Sequence, residues 1–558
     1  MEQPWLKNYD QGVRETLQPY PETTLADVVH ETAVERPNHP ALWFKGNTMV
    51  YSQLDRLSDA FAAALVAQGL KKGDRVAVLM ANTPQYVLAE LGIWKAGGIV
   101  ASINPLYTGG ELQHLLLECE AETAIVMSLF YGKVKEVQAK TKLKKVIVTN
   151  IKEYLPAVKM LLFTLVKEKK DGHRVTLQAG DLWFQDLMSQ HRGAARPTVA
   201  IDPNDPALIL FTGGTTGHAK AALGSHIALV KSGLQIREWF KNSLHDWEDA
   251  FLASLPLFHV FAAAGVQTAA LMGHNAMALV PNPRDLTDVL DTIEKAKTSF
   301  VPGVPTFYVG LLDHPMVKSG KADLSSIKLC ISGASALLRD TKERFEAQAN
   351  CRIVEGYALT ESMMAIVCTP VDGKYKVGSV GMPVSDVAVR IVDSETGERD
   401  LPLGPENVGE ILIKAEQLML GYYNRDDDTA VMLKDGWLYT GDLGYMDEDG
   451  YVFIVDRKKD VIKPSGFQVW PREVEEAIAA NPKVKEVGVA GVPDERTSEA
   501  VKAWIVLEEG QSATADEIKT WCREHLAAYK VPKYIEFRTA LPKSAVGKVL
   551  RRELAKEG

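Results

Sequence analysis

The apolar run Ala207-Leu-Ile-Leu-Phe211 ends in Thr212-Gly-Gly-Thr-Thr-Gly217, six consecutive residues drawn only from threonine and glycine. Such a run requires a buried strand that turns at once into a loop without bulky side chains. Glycines leave backbone N–H groups free to approach phosphate oxygens, while the hydroxyls add donors and can face a metal. Lys220 adds positive charge just beyond the run. This is not a Walker A loop, because neither Gly213 nor Gly214 is followed at the required spacing by Gly-Lys-Ser/Thr. The competing reading is a plain Gly/Thr-rich turn.

That strand and loop sit in a chain of 558 residues, too long for one compact core. Strand and helix patterns alternate through the first 150 residues. Leu54, Leu57, Ala60, Phe61 and Leu65 recur at helical spacing, Arg75-Val-Ala-Val-Leu-Met80 reads as a strand, a helix follows from Pro84 to Ala96, and Gly97–Ser102 is strand-like again. Alternation of this kind predicts an α/β fold, with parallel sheets covered by helices. Residues 251–283 carry no Asp, Glu, Lys or Arg. They are long enough to span a bilayer, but Pro256, His259, Gly265, Gly273, His274 and Asn275 interrupt them, which predicts a buried strand, turn and helix instead.

Between 151 and 175 the residues Ile151, Tyr154, Leu155, Val158, Leu161, Leu162, Leu165 and Val166 form a helical apolar stripe, edged by lysines. Two readings stand: an amphipathic helix packed on the protein, and an interfacial helix resting on a membrane or guiding an acyl chain. From 370 to 455 short strands and turn sequences predict a small β-rich subdomain. Beyond it, helices at 473–481 and 515–528 and strands at 485–490 and 501–507 predict an independent α+β domain of about 100 residues, a typical domain size. The boundary is expected at Asp456, giving domains 1–455 and 457–558.

The net charge of −9 gives no reason to expect nucleic acid. Residues 457–558 hold 19 Lys/Arg against 16 Asp/Glu, a slightly basic balance that suits a polyanionic ligand. The five cysteines have no CxxC or metal-like spacing and read as buried thiols of a reducing compartment. The first residues lack the charged and apolar regions of a signal peptide. A cytoplasmic protein is expected.

The Gly/Thr loop resembles the phosphate-binding signature of the adenylate-forming superfamily, which includes acyl-CoA synthetases, peptide-synthetase adenylation domains and luciferases. Further matches follow in order. Leu255-Pro-Leu-Phe-His-Val260 is similar to the segment whose histidine, here His259, lies beside the carboxylate pocket. Ile331-Ser-Gly-Ala-Ser-Ala336 resembles a strand and turn, with Gly333 and Ala334, lining the nucleotide and acyl sites. Glu355-Gly-Tyr-Ala-Leu-Thr-Glu361 resembles the motif in which the tyrosine stacks on adenine, the threonine meets the α-phosphate and the glutamate holds Mg2+. The resemblance thus implies nucleotide-binding roles for Glu355, Gly356, Tyr357 and Thr360, and places Glu361 and Thr212 at the metal. Residues 435–463 are similar to the signature of fatty acyl-CoA synthetases in particular. There Asp442 would grip the ribose, Arg457 would contact the nucleotide, Asp456 would be a hinge and Lys463 would serve the thioester stage. Leu541-Pro-Lys-Ser-Ala-Val-Gly-Lys548 resembles the loop that carries the catalytic lysine.

The chemistry needs this donor set. A carboxylate must be made electrophilic by attack on the α-phosphate of ATP, so several anionic groups have to be held together by amides, Mg2+ and a cation. Lys548 is the cation expected at the carboxylate and α-phosphate, with Thr212, Gly213, Gly214, Thr215, Thr216, Gly217 and Lys220 around the phosphates. A thiol must then attack the acyl carbon, and the resemblance implies a mobile C-terminal domain that exchanges Lys548 for Lys463 by rotation about Asp456. The expectation is a fatty acid–CoA ligase using ATP and coenzyme A, with long-chain acids favoured by the 435–463 signature and the 151–175 stripe. Medium-chain or aryl-carboxylate CoA ligases, and acyl-AMP ligases loading a carrier protein, remain as alternatives. A homodimer and a peripheral position on the inner face of the cell membrane are also left open. The sequence departs from the family pattern at Ala358, where glycine is usual, and at His218-Ala-Lys-Ala221.

Overall fold

The computed structural model describes residues 3–212, 219–464, 469–494, 496–544 and 549–556. Three sheets organise them. In the first, the strands Ile99–Ser102, Arg75–Leu79, Thr123–Met127, Lys145–Thr149, Leu182–Trp183 and Pro206–Phe211 run parallel, as the alternation in the sequence requires. The strand Ala221–Ser225 turns back antiparallel on Pro206–Phe211, so residues 212–220 connect two neighbouring strands.

The second sheet begins with a parallel core, Ala276–Leu279, Ala250–Ala253, Phe300–Gly303, Leu329–Ser332 and Arg352–Tyr357. It continues by antiparallel pairing through Val367–Cys368, Ser379–Pro383, Val452–Arg457, Trp437–Met446, Gly409–Lys414 and Ala388–Val392. The β-rich stretch is therefore hydrogen-bonded to the parallel core and extends the same sheet.

All twelve residues of the helix Pro84–Lys95 are buried. The helix is enclosed on every side, its Lys95 paired with Asp55 and Asp59 (both 2.6 Å), and Trp94 Nε1 donates to the Ala207 carbonyl of the first sheet (2.9 Å). Residues 251–283 are core, as expected: the strand Ala250–Ala253, a widened π-type turn over Phe261–Gln267, the helix Thr268–Met272 and the strand Ala276–Leu279. Among the described residues no helix is long and apolar enough to cross a membrane.

The third sheet pairs Val484–Asp494 with Ser498–Leu507 and the latter with Tyr534–Phe537. Its helices are Pro471–Ala479, Ala515–His525 and Arg551–Lys556. It has its own apolar core around Val474, Ile478, Val489, Ile505 and Ile518.

The segment 151–175 splits. Ile151, Tyr154 and Leu155 pack on the core, but the helix Ala157–Leu162 and the π-type turn Phe163–Lys167 contain no buried residue. Val158, Leu161, Leu162, Leu165 and Val166 are all more than half exposed. The reading of a helix packed on the protein along its whole stripe is corrected.

Candidate active site

The Gly/Thr loop is pinned at its neck. The Thr212 amide donates to the Lys220 carbonyl (3.0 Å) and the Lys220 amide to Thr212 Oγ1 (3.3 Å). Gly213, Gly214, Thr215, Thr216 and Gly217 lie outside the described residues. From the neck, the Lys220 amine reaches Asp428 Oδ1 (2.5 Å) and lies 4.9 Å from the centroid of the Tyr422 ring. The Tyr422 hydroxyl in turn donates to Glu361 Oε1 (2.6 Å). Burial, reinforced by the Glu361 charge, pushes this phenol far above its ordinary range, so it stays a donor. Tyr422 is placed by the two-residue strand Gly421–Tyr422, which pairs with Leu223 and Ala222. One tyrosine thus ties the loop of the first sheet to the Tyr357–Glu361 motif that follows the second.

A second cluster gathers Tyr357, Asp442 and Arg457. Asp442 and Arg457 are direct register partners on antiparallel strands. Asp442 is buried, and its two oxygens divide their partners: Oδ1 meets Arg457 Nε (2.9 Å) and Oδ2 accepts the Tyr357 hydroxyl (2.7 Å). The Asp442 charge holds the Arg457 guanidinium firmly protonated. Burial and the same carboxylate push the Tyr357 phenol up.

Gly333 and Gly356 meet at the ends of the neighbouring parallel strands Leu329–Ser332 and Arg352–Tyr357. A Cβ on Gly333 would stand 2.9 Å from the Phe261 ring and 3.4 Å from the Gly356 carbonyl oxygen, so a side chain there would have to push the Phe261 ring aside. Ala334 is exposed at φ +68°, in the left-handed region that non-glycine residues rarely adopt. Strain of this type concentrates at functional sites. Glu355 braces the turn: Oε2 accepts the Leu337 amide (3.2 Å) and Oε1 the Tyr375 hydroxyl (2.9 Å). Burial raises its carboxyl. Thr360 follows the strand Arg352–Tyr357, its carbonyl accepting the Met363 amide (3.1 Å), and Met363 and Met364 are both left-handed. His259 is desolvated and its pKa falls to about 4, so the ring is neutral at pH 7. Its Nδ1 accepts the Phe261 amide (3.3 Å), which leaves the proton on Nε2.

Lys463 belongs to the third-sheet unit, its amide held by Glu499 Oε2 (2.6 Å). Lys548 lies outside the described residues, between Lys543 and Val549, which form an antiparallel bridge. Asp456, the expected hinge, is 4% exposed, with both oxygens hydrogen-bonded. Sequence reasoning also missed Tyr422, Asp428 and Asn82. Asn82 donates to the carbonyls of Ala253 (2.8 Å) and Leu255 (2.7 Å) and accepts the Leu257 amide (2.9 Å), fixing the approach to His259. The signal available for Asn82 was its place before Thr83-Pro84, where a helix begins.

Two cation–carboxylate clusters of this kind suit a polyanionic ligand. Residues 29–423 match the AMP-binding enzyme family, and residues 473–548 match the AMP-binding enzyme C-terminal domain. The chain belongs to the AMP-binding enzyme family. It is 38% identical to a long-chain-fatty-acid--CoA ligase of Bacillus subtilis over 100% of this chain and 98% of that protein. A long-chain-fatty-acid--CoA ligase of Yersinia pestis is 37% identical over the same shares. Among solved structures, ATP-bound MatB from Rhodopseudomonas palustris is 28% identical with a TM-score of 0.81, covering 96% of this chain and 99% of that one. Members of the family share this pairing of a large α/β region with a small C-terminal unit, as the sequence predicted.

Proposed function

We propose that the chain is a long-chain fatty acid–CoA ligase, converting fatty acid, ATP and coenzyme A into acyl-CoA, AMP and pyrophosphate. The observation that carries this reading is end-to-end likeness to enzymes of that name, supported by the clustering of Lys220 with Glu361 and of Tyr357 with Asp442 and Arg457. In the first step a carboxylate oxygen of the fatty acid attacks the α-phosphorus, and the bond to the β-phosphate oxygen breaks to release pyrophosphate. In the second, the thiol sulfur attacks the acyl carbon, the thiol proton leaves, and AMP departs with the bonding electrons.

Asp442 would bind the ribose hydroxyls as acceptor, with Arg457 fixing its orientation, and Tyr357 would present its ring to adenine. Thr212, Lys220 and Thr360 would bind phosphate oxygens, together with the loop residues 213–217. Gly333, Ala334 and Gly356 would let the nucleotide approach the backbone, and Glu355 would hold that turn in shape. His259, neutral with its proton on Nε2, would donate to the carboxylate rather than pair with it as a cation. Lys548 would bridge carboxylate and α-phosphate.

The residues present fit Mg2+, which takes one or two carboxylates plus phosphate oxygens. Glu361, oriented by Tyr422 through one oxygen, and the Thr212 hydroxyl would hold it. When bound, it would neutralise developing phosphate charge. Residues 1–455 and 457–558 would act as two domains that reorient about Asp456, bringing Lys463 to the thioester stage.

The exposed apolar residues of 157–166 and the cations Lys159, Lys167, Lys169 and Lys170 suit an anionic phospholipid surface. Glu168, the one acid within 157–170, is buried and paired with Lys152 (2.6 Å). Paired Leu161→Glu and Leu165→Glu substitutions are expected to abolish co-sedimentation with phosphatidylglycerol vesicles. Unchanged sedimentation would exclude this contact. For the reaction itself, CoA-dependent AMP release should be measured across saturated fatty acids of graded length and aromatic acids. Release with long chains is expected, and turnover of a carrier protein without any turnover of CoA would sink the ligase reading.

A further inference from the structure

Asp456 stands where the strand Val452–Arg457 of the second sheet passes the chain to the third-sheet unit. Both of its oxygens are engaged by groups from that unit. Oδ1 accepts Arg551 Nη1 (2.8 Å) and Oδ2 accepts the Arg472 amide (2.7 Å). Arg472 Nη1 also donates to the Ile454 carbonyl (2.9 Å).

Arg551 is itself clamped within the third-sheet unit. Its Nε and Nη2 donate to the two oxygens of Glu475 (2.9 and 2.5 Å), and Glu475 Oε1 also accepts the Val489 amide (2.8 Å). A bidentate guanidinium–carboxylate pair has fixed geometry. Arg551 therefore stands as a rigid post, and Nη1 is the part left to reach Asp456. It also opens the helix Arg551–Lys556, just beyond the Lys543–Val549 bridge that flanks Lys548. The residue that grips the pivot is thus anchored beside the segment that carries the lysine.

Any rotation at Asp456 carries Arg551, Arg472 and Glu475 together, while the Asp456 side chain stays with the second sheet. The Arg551–Glu475 clamp would survive such a turn, and the Arg551–Asp456 bond would not. We propose that Arg551 is a positioning residue that latches the third-sheet unit to Asp456 in one orientation, and so sets how the enzyme divides its time between adenylate formation and thioester formation. This rests on the ligase reading above and on Asp456 as its pivot.

The test uses the full-length chain and measures the half-reactions separately. One is fatty-acid-dependent ATP–pyrophosphate exchange, and the other is acyl-CoA formation from supplied acyl-AMP and CoA. Arg551→Gln alone would leave Glu475 buried and uncompensated, so it is made together with Glu475→Gln. Asp456→Asn weakens the latch from the other side and keeps the clamp. In both variants the ratio of the two rates is expected to move in the same direction by about tenfold, the effect of losing one charge-assisted hydrogen bond. A proportional loss of both rates would mark a merely structural role and overturn the latch. So would an unchanged ratio, or shifts of opposite sign in the two variants. If the unmutated enzyme shows neither half-reaction, the ligase reading fails first and takes the latch with it.

Discussion

Asp442 divides its two oxygens between Arg457 and Tyr357, so it is oriented before any nucleotide arrives. Removing its charge would leave Arg457 half-buried without its counter-ion. Asp442→Asn is expected to lower kcat/KM for ATP by about tenfold to hundredfold, as for loss of a charged hydrogen-bonding partner. The KM for fatty acid should stay unchanged, and steady-state kinetics with each substrate varied in turn would check this. His226 lies away from these clusters and makes a pH prediction. It is 2% exposed, its Nδ1 has no hydrogen-bond partner, and burial lowers its pKa to about 4. The unfolded chain therefore binds a proton here, near pH 6.5, before the folded one does. The stability from this site is full above pH 6.5 and is lost as pH falls toward 4. Between pH 7.5 and 5.0 that loss is about 2 kcal/mol. His226→Phe should remove this part of the slope in urea unfolding measured at both values.

Among elements, the helix Pro84–Lys95 and the Asn82 turn before it join the two large sheets. Three hydrogen bonds from one buried amide fix the Ala253–Leu257 backbone. Asn82→Ala is expected to cost about 2–4 kcal/mol, because it strands buried backbone groups. It should also lower kcat more than it weakens ATP binding, since the displaced segment leads to His259. Calorimetry and nucleotide titration would separate the two effects. The helix itself was legible in the sequence between Pro84 and Ala96, as were the strands Arg75–Leu79 and Ile99–Ser102. Gly421–Tyr422 was not, because two residues cannot show a period. Six-residue Arg551–Lys556 escaped for the same reason. In 151–175 the stripe was visible but its partner was not: apolar spacing looks alike whether protein or something else covers it.

At the scale of the molecule, parallel strands bring distant motifs together. Leu329–Ser332 and Arg352–Tyr357 are adjacent and parallel, so the residues at their carboxyl ends, Gly333 and Tyr357, share one edge of the sheet. Open α/β sheets bind ligands outside that edge. The order of the motifs in the sequence therefore foretold a shared site, but not which residues would touch. Tyr422 bonds to Glu361, 61 residues away, and Arg551 to Asp456, 95 residues away, and neither link leaves a local pattern. Lys548 shows what this arrangement implies for mechanism. The residues flanking its segment, Lys543 and Val549, bridge each other, and Lys543 is tied to Glu486 (2.7 Å), so both flanks belong to the third-sheet unit. A cation delivered by a separate unit can serve one step and be withdrawn for the next. Lys548→Ala is accordingly expected to abolish ATP–pyrophosphate exchange while acyl-CoA formation from supplied acyl-AMP proceeds at a rate near that of the unmutated enzyme. Equal loss of both half-reactions would mean that the lysine serves the shared nucleotide site, and the division of labour between the units would have to be abandoned.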